Sequence, residues 1–174
     1  MYKTLLHRNT PRRYYVSGGI YFITTKTYSN YEYFRAPIFC KLFMDDFEIS
    51  KKLKQFRLYA FCLIYDHLHL LVQPYEKYDI SEVMHNLKMN VSRNINKNIG
   101  YEVPVGEDTY PRLREDNHLK FKWQRGFYDH VIRDEQDFLN HYHYTIYNYL
   151  KHNLPQNWQY TSLNFPELTD SFHN

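Results

Sequence analysis

Hydrophobic residues recur along the chain with two different periods, and each period predicts one kind of element. Apolar runs and apolar–polar alternation predict β-strands at 14–28, 58–64, 67–72 and 121–132. Apolar residues spaced three and four positions apart predict helices that begin at 37, 79 and 134 and end near 53, 100 and 152. The predicted order is therefore β-α-β-β-α-β-α.

A β-α-β-β-α-β order is the ferredoxin-like arrangement, here followed by one further helix. We therefore predict an α+β, ferredoxin-like (RRM-like) antiparallel sheet, with helices packed on one face and an added C-terminal helix. The length suits one hydrophobic core, so residues 1–174 are interpreted as a single domain. Its parts are a basic N-terminal arm (1–13), a core (about 14–153) and a C-terminal tail (154–174). Residues 101–118 are predicted to form a loop.

The composition, with 43% hydrophobic and 24% charged residues, is that of a globular protein. No apolar run approaches the roughly 20 residues that cross a bilayer, and the first residues lack an apolar signal region. We therefore expect a cytoplasmic protein with no membrane partner. Cys40 and Cys62 lie in apolar stretches, which favours buried free thiols in a reducing compartment.

Charge alone says little about nucleic acid, because 22 Lys and Arg against 19 Asp and Glu leave a formal charge of only +3. The types of side chain are more informative about nucleic-acid binding. Nineteen tyrosines and ten histidines give the chain many groups that stack on bases or contact phosphates.

The segment His67-Leu68-His69 lies in a predicted strand, where residues two apart face the same side. Both imidazoles then project together, while Leu68 turns into the core. Two imidazoles on a rigid strand make half of a divalent metal site. Two chance histidines on a solvent-facing strand are the alternative. Such a pair also occurs in zinc hydrolases and cupin-type sites, so on its own it has modest specificity.

Tyr144 and Asn148 lie four residues apart in the last predicted helix and therefore share a face, with His141 on the same side. A phenol, a carboxamide oxygen and two histidines make a plausible set for cutting a phosphodiester, provided that the tyrosine is activated. Spacing alone nevertheless favours core packing for Tyr144, since it is one of nineteen tyrosines.

Several blocks of the chain, in order and at plausible spacing, resemble the REP-associated tyrosine transposases, a branch of the single-tyrosine HUH superfamily. The matching blocks are 12–19 (RRYYVSGG), 65–71 (YDHLHLL), 123–134 (WQRGFYDHVIRD) and the segment from 141 to about 153. The resemblance implies a metal-dependent endonuclease and strand transferase that acts on single-stranded DNA near hairpins through a 5′-phosphotyrosine. It makes Tyr144 the nucleophile and His67, His69 and Asn148 the ligands of Mg²⁺ or Mn²⁺.

Two positions depart from the family pattern, which has proline where this chain has Tyr149 and glycine where it has Asn153. Both alter the end of the last helix, and neither removes a group of the implied site. Two rival nucleophiles remain: Tyr128, which neighbours His130, and Tyr147, which adjoins Asn148. Only the match to the family pattern, position by position, excludes Tyr147 as the nucleophile.

The implied partner is single-stranded or hairpin DNA, on the bacterial nucleoid. Candidate contacts share a positive charge or an aromatic ring; they are Arg12, Arg13, Lys120, Lys122, Trp123, Arg125 and Lys151. For each charge the alternative is an ordinary solvated surface residue, and for Trp123 it is core burial. Asp66 could orient a histidine, although a turn role is favoured. The resemblance favours a monomer, with exchange of the last helix in a dimer as the alternative.

Two other functions fit parts of the sequence. An RRM-like sheet with aromatic faces could bind nucleic-acid hairpins without cutting them. The histidine pair could instead belong to a zinc hydrolase, which would retain tightly bound, stoichiometric zinc.

Overall fold

A computed structural model of the chain describes residues 15–54, 56–100 and 120–172. The helices and strands are β1 (Tyr21–Lys26), α1 (Pro37–Lys54), β2 (Phe56–Leu63), β3 (His67–Pro74), α2 (Ile80–Asn98), β4 (Tyr128–Val131), α3 (Glu135–Ile146) and α4 (Asn148–Lys151). This order confirms the predicted β-α-β-β-α-β-α arrangement. Arg12, Arg13 and the predicted loop 101–118 lie outside the described residues. Within the described residues, no helix has the length and apolarity needed to span a bilayer.

The four strands form one antiparallel sheet in the order β2-β3-β1-β4. This is the strand order of a ferredoxin-like fold, as predicted. β3 lies in the interior of the sheet, between β2 and β1. In the β1–β3 register, Thr24 pairs with His69 and Lys26 pairs with His67. The histidine strand is therefore held by hydrogen bonds along both of its edges.

One face of the sheet is closed by α1 and α2. Leu68 and Leu70 of β3 pack there with Phe43 of α1 and Val91 of α2, all of them at most 1% exposed. Local signals support both helices: α1 begins at a proline, which suits a first helical position, and α2 begins with a capping box between Asp79 and Glu82. The main hydrophobic core of the protein lies on this face.

The opposite face is covered by α3. Phe22 and Leu71 of the sheet pack against Phe138 and Ile146 of this helix. Asp134 caps α3 by accepting a hydrogen bond from the backbone N–H of Asp137 at 2.8 Å. The added helix thus lies across the sheet on the side away from α1 and α2.

The predicted last helix, 134–152, is divided by a break at Tyr147. The hydroxyl of Thr161 donates a hydrogen bond to the carbonyl oxygen of Ile146 at 2.8 Å. The backbone N–H of Leu150 instead donates to the carbonyl of Tyr147 at 3.1 Å, so the helical ladder does not continue through this point. After the break, α4 begins at Asn148.

Other element bounds also differ from the prediction. β1 and β4 are shorter than the predicted strands 14–28 and 121–132; Trp123 makes only an isolated bridge with Thr27 before β4 begins. The segment after α4 is ordered against the edge of β2. There Cys62 bridges to Thr161, and the carbonyl of Leu58 accepts a hydrogen bond from the backbone N–H of Asp170 at 2.7 Å. This segment therefore covers an edge that would otherwise expose unpaired backbone groups.

Candidate functional site

The two histidines of β3 project together on the sheet face that α3 and α4 cover. The His67 and His69 rings are 4.9 Å apart between centroids, and both residues are buried. Nδ1 of His67 lies 2.5 Å from Oδ1 of Asp66, and Nδ1 of His69 lies 2.9 Å from Oγ1 of Thr24. Because Nδ1 of each ring is engaged, Nε2 is the nitrogen that each imidazole can offer to a ligand.

Both histidines are held in the neutral form. The pKa of His69 is lowered to about 3, mainly by burial and to a lesser extent by electrostatic interaction with His67, His152 and nearby lysines. Burial also lowers the pKa of His67, although the hydrogen bond from its ring to Asp66 opposes that shift. Neutral imidazole is the form that binds metal ions.

Asn148, the first residue of α4, is fully buried at the helix break. Neither its side-chain oxygen Oδ1 nor its nitrogen Nδ2 has a hydrogen-bond partner among the described residues. An unsatisfied buried amide costs about 1–3 kcal/mol, so such a group usually has a partner in the functional state. Tyr144 and His152, which precede and follow Asn148 by four residues, contact His69 and His67. A divalent metal ion shared with the histidine pair is therefore a candidate for the missing partner of this amide.

Tyr144 of α3 lies directly against the histidine pair. Its ring is 5.4 Å from that of His69 between centroids and meets it edge-on. The side chain is not enclosed, since Tyr144 is 38% exposed. The ammonium group of Lys151 lies 4.1 Å from the centroid of the phenol ring. A phenol beside the histidines, open to solvent and next to a positive charge, is well situated to react with an anionic substrate.

The rival tyrosines occupy different positions. Tyr128 lies on the edge strand β4 opposite Thr24 and is 61% exposed, while Tyr147 is 47% exposed at the helix break. Among the ring contacts of the described residues, Tyr144 is the only tyrosine that contacts the histidine pair. The geometry therefore favours Tyr144 over both rivals.

Two further residues contact His67; sequence analysis raised Asp66 as a possible orienting group and did not single out His152. His152 follows Asn148 by one helical turn, and its ring lies 4.7 Å from that of His67. The i, i+4 spacing from Asn148 was the available signal for it. Asp66, for which a turn role was favoured, contacts the His67 ring directly and so can orient it.

The predicted DNA-contact residues that the structure describes differ in solvent exposure. Arg125 and Lys151 are exposed, and Lys120 and Lys122 are half-buried. Trp123 is only 6% exposed and packs against Phe34 and Phe121, a position that favours core packing over base stacking.

A second group of possible metal ligands lies nearby, between β4 and α3. The ligand atoms of His130, Asp137 and His141 all lie within 4.8 Å of one another. Phe22 separates this group from the histidine pair: its ring is 4.8 Å from that of His141 and 5.5 Å from that of His69. The described part of the chain thus contains a group able to hold a metal ion.

The sheet and its sites define the class of the protein: a ferredoxin-like α+β domain whose covered face carries histidines and a tyrosine-bearing helix. A family model described as "Transposase IS200 like" matches residues 41–144, more than half of the chain, and the protein therefore belongs to the IS200-like transposase family.

Two relatives confirm the resemblance to REP-associated tyrosine transposases. A protein of Haemophilus influenzae that carries this name is 29% identical over 163 residues, which cover 87% of this chain and 83% of that protein. The structure of a REP-associated tyrosine transposase bound to a REP hairpin matches with a TM-score of 0.70 at 20% identity, covering 94% of this chain and 89% of that one.

A third match is the crystal structure of a protein from Deinococcus radiodurans described as a transposase. It has a TM-score of 0.51 at 13% identity and covers 84% of this chain and 97% of that one. At these identities the two structural matches support the fold.

Proposed function

We propose that this protein is a metal-dependent endonuclease and strand transferase that acts on single-stranded DNA near hairpins. The observation that carries the proposal is the contact between the Tyr144 phenol and His69, whose neutral ring belongs to a paired-histidine strand. Family membership supports a transposase activity. The hairpin bound by the structurally similar REP-associated transposase supports the choice of substrate.

The residues that would hold a divalent ion are His67 and His69, through Nε2, and Asn148, through Oδ1. Their neutral rings and the unpartnered amide support this ligand set. The ion, Mg²⁺ or Mn²⁺, would supply polarisation of the scissile phosphate. Asp66 and Thr24 fix the two rings by engaging Nδ1.

Tyr144 performs the covalent step. Its Oη attacks phosphorus, a bond from phosphorus to Tyr144 forms, and the bond from phosphorus to the 3′-oxygen breaks. The phenol loses its proton to solvent, and the leaving strand ends in a 3′-hydroxyl. The ammonium of Lys151 lies beside the Tyr144 ring, where it can attract the negative charge of the phosphate.

Rejoining is the reverse reaction. A 3′-hydroxyl attacks the phosphotyrosine, a phosphodiester forms, and Tyr144 leaves and regains a proton. The energy of the broken bond is retained in the covalent intermediate, so no nucleotide cofactor is required. The positive residues Arg12, Arg13, Lys120, Lys122, Arg125 and Lys151 are proposed phosphate contacts.

The decisive experiment is capture of a covalent protein–DNA adduct. Hairpin DNA with randomised single-stranded flanks and a 5′-phosphate label placed internally is incubated with the protein and Mn²⁺, and products are separated under denaturing conditions. We expect an adduct with the wild type and with Tyr147→Phe, and none with Tyr144→Phe or with excess chelator. Tyr147→Phe is the matched control, because this exposed phenol lies one turn along the same segment.

Other results would lead to different conclusions. Hairpin binding without any adduct would identify a binding module that does not cut. An adduct that survives Tyr144→Phe and disappears with Tyr147→Phe or Tyr128→Phe would move the nucleophile to that residue.

A further inference from the structure

The group formed by His130, Asp137 and His141 has the features of a site in its own right. Asp137 lies between the two histidines, with Oδ2 at 2.9 Å from Nε2 of His130 and Oδ1 at 3.0 Å from Nδ1 of His141. The two imidazole rings are stacked, 4.7 Å apart between centroids. Nδ1 of His141 also lies 2.9 Å from the backbone carbonyl oxygen of Asp137, so both histidine nitrogens are within reach of oxygens of this one residue.

The backbone holds this carboxylate in place. Asp137 lies in the first turn of α3, and its Oδ2 accepts a hydrogen bond from the backbone N–H of Arg133 at 3.0 Å. His141 lies one turn further along the same helix, and His130 projects from β4. Three ligands carried on two regular elements form a more rigid arrangement than ligands on loops.

We propose that His130, Asp137 and His141 bind a transition-metal ion of the zinc class, at a site separate from the one formed by His67, His69 and Asn148. Two imidazoles and one carboxylate are a ligand set that suits zinc, whereas Mg²⁺ prefers oxygen ligands. The side chains of the three residues are between 19% and 25% exposed, so an ion can enter from solvent and retain water as a further ligand.

The ion at this site would tie the edge strand β4 to helix α3. His141 precedes Tyr144 by one turn, and the ring of Phe22 contacts both of them, at 4.8 Å and 5.7 Å between centroids. A bound ion therefore restrains the helix that carries Tyr144 relative to the sheet that carries His69. The three ligands are positioning residues in this role, because Phe22 stands between them and the histidine pair.

The site does not depend on the proposed DNA chemistry and is tested by metal binding alone. The probe is Zn²⁺, measured as bound equivalents after equilibrium dialysis of the full chain. The double variant His67→Ala/His69→Ala removes the other histidine site. We expect it to retain one bound zinc, which is lost when Asp137→Asn is added. His143→Ala, which removes an exposed histidine of the same helix, is the matched control and is expected to keep that zinc.

Thermal unfolding gives an independent readout, because an ion that binds only the native state raises Tm. Zinc is expected to raise the Tm of the double variant and to leave it unchanged once Asp137→Asn is present. Should the double variant fail to fold, Asp137→Asn in the wild-type background is expected to lose one equivalent. Equal zinc binding with and without Asp137→Asn, or no zinc bound by the folded double variant, overturns the proposal and leaves the group as a hydrogen-bonded clamp. Neither result alters the adduct assay in Mn²⁺, which tests Tyr144 separately.

Discussion

The two faces of the sheet differ in what their side chains do, although the same strands supply both. On the face covered by α1 and α2, β3 contributes Leu68, Leu70 and Val72, all buried in the main core. On the face covered by α3 and α4, the alternate residues of the same strand are His67 and His69. Because successive side chains of a strand point to opposite sides, one strand can serve packing and chemistry at once.

Residues on the α1/α2 face are therefore expected to determine stability, and residues on the α3/α4 face are expected to determine reactivity. The α1/α2 face is a packed apolar layer, where loss of a side chain leaves a cavity. The α3/α4 face has a smaller apolar cluster around Phe22 and Leu71. It also carries the histidine pair, Tyr144, which is 38% exposed, and the Asn148 amide, which has no hydrogen-bond partner among the described residues. Substitutions at neighbouring positions of β3 should therefore produce opposite phenotypes.

The largest expected effect belongs to the histidine face. We predict that His69→Ala, and likewise His67→Ala, lowers adduct formation at least about a thousandfold, because each removes a proposed metal ligand and a neighbour of the nucleophile. Far-UV circular dichroism should show the fold retained. Rates of adduct formation under single-turnover conditions provide the measurement. Cleavage at the wild-type rate by either variant would exclude the histidine pair from the reaction.

The adjacent residue on the other face should behave in the opposite way. Leu70 is 1% exposed, and Leu70→Ala is predicted to lower the free energy of unfolding by about 2–5 kcal/mol through lost burial and a cavity. The folded fraction should still form the adduct at close to the wild-type rate. Urea denaturation measures the loss of stability, and the single-turnover assay measures the rate of adduct formation. A large loss of rate in fully folded Leu70→Ala protein would mean that the two faces are coupled.

A mixing experiment sharpens the comparison further, since it asks whether one chain supplies the whole histidine face. We propose a monomer, with Tyr144 and His69 acting in the same chain, as their contact supports. Mixing Tyr144→Phe with His69→Ala is then expected to leave adduct formation absent. Recovery of a substantial fraction of wild-type adduct on mixing would indicate that the last helix is exchanged between two subunits.

A smaller effect is expected from two exposed positive residues, Lys151 beside Tyr144 and Arg125 ahead of β4. Exposed cations that contact phosphates release counterions, so hairpin binding should weaken as salt increases. The double variant Arg125→Ala/Lys151→Ala is predicted to reduce the slope of log Kd against log salt by about 1.4, from about 0.7 per phosphate contact on a single strand. Fluorescence anisotropy across a salt series measures the slope. An unchanged slope would assign both residues to ordinary solvated surface.

The sequence predicted the elements that depend on local pattern. The strand pattern of 67–72 marked β3, and the helix-start signal at 79–82 marked the start of α2, because these signals act within a few residues. The break at Tyr147 was not predicted, since it involves the hydroxyl of Thr161, which lies far along the chain from Ile146. A continuous helical pattern cannot reveal a contact made in the tertiary structure.

The same limit applied to the candidate site. The spacing of His67 and His69 placed both rings on one side, yet spacing favoured core packing for Tyr144, and only the family resemblance selected it. The contact between His152 and His67 joins the end of α4 to β3. The hydrogen bond between His130 and Asp137 joins a strand to a helix, and no local sequence pattern indicates it. Long-range contacts of this kind require the fold.

The smallest predicted effect concerns the end of α4, where the chain departs from the family pattern. Asn153 has a φ of 54°, in the left-handed region that glycine enters freely and asparagine tolerates. The backbone N–H of Leu154 donates to the carbonyl of Tyr149 at 3.1 Å, and that of Asn153 donates to Leu150 at 3.2 Å, which is the Schellman pattern of helix termination. Tyr149 and Leu154 also pack together in one buried cluster, as that motif favours.

Both departures therefore lie within one helix-ending motif, and each is compatible with it. We predict that Asn153→Gly changes the free energy of unfolding by no more than a few tenths of a kcal/mol, whereas Asn153→Ala lowers it by about 1 kcal/mol, because alanine is strained at positive φ. Urea denaturation of the two variants side by side measures the difference, with adduct formation as a check that Asn148 keeps its place. Equal stabilities for the glycine and alanine variants would mean that the helix end rearranges, and the orientation of Asn148 would then have to be determined again.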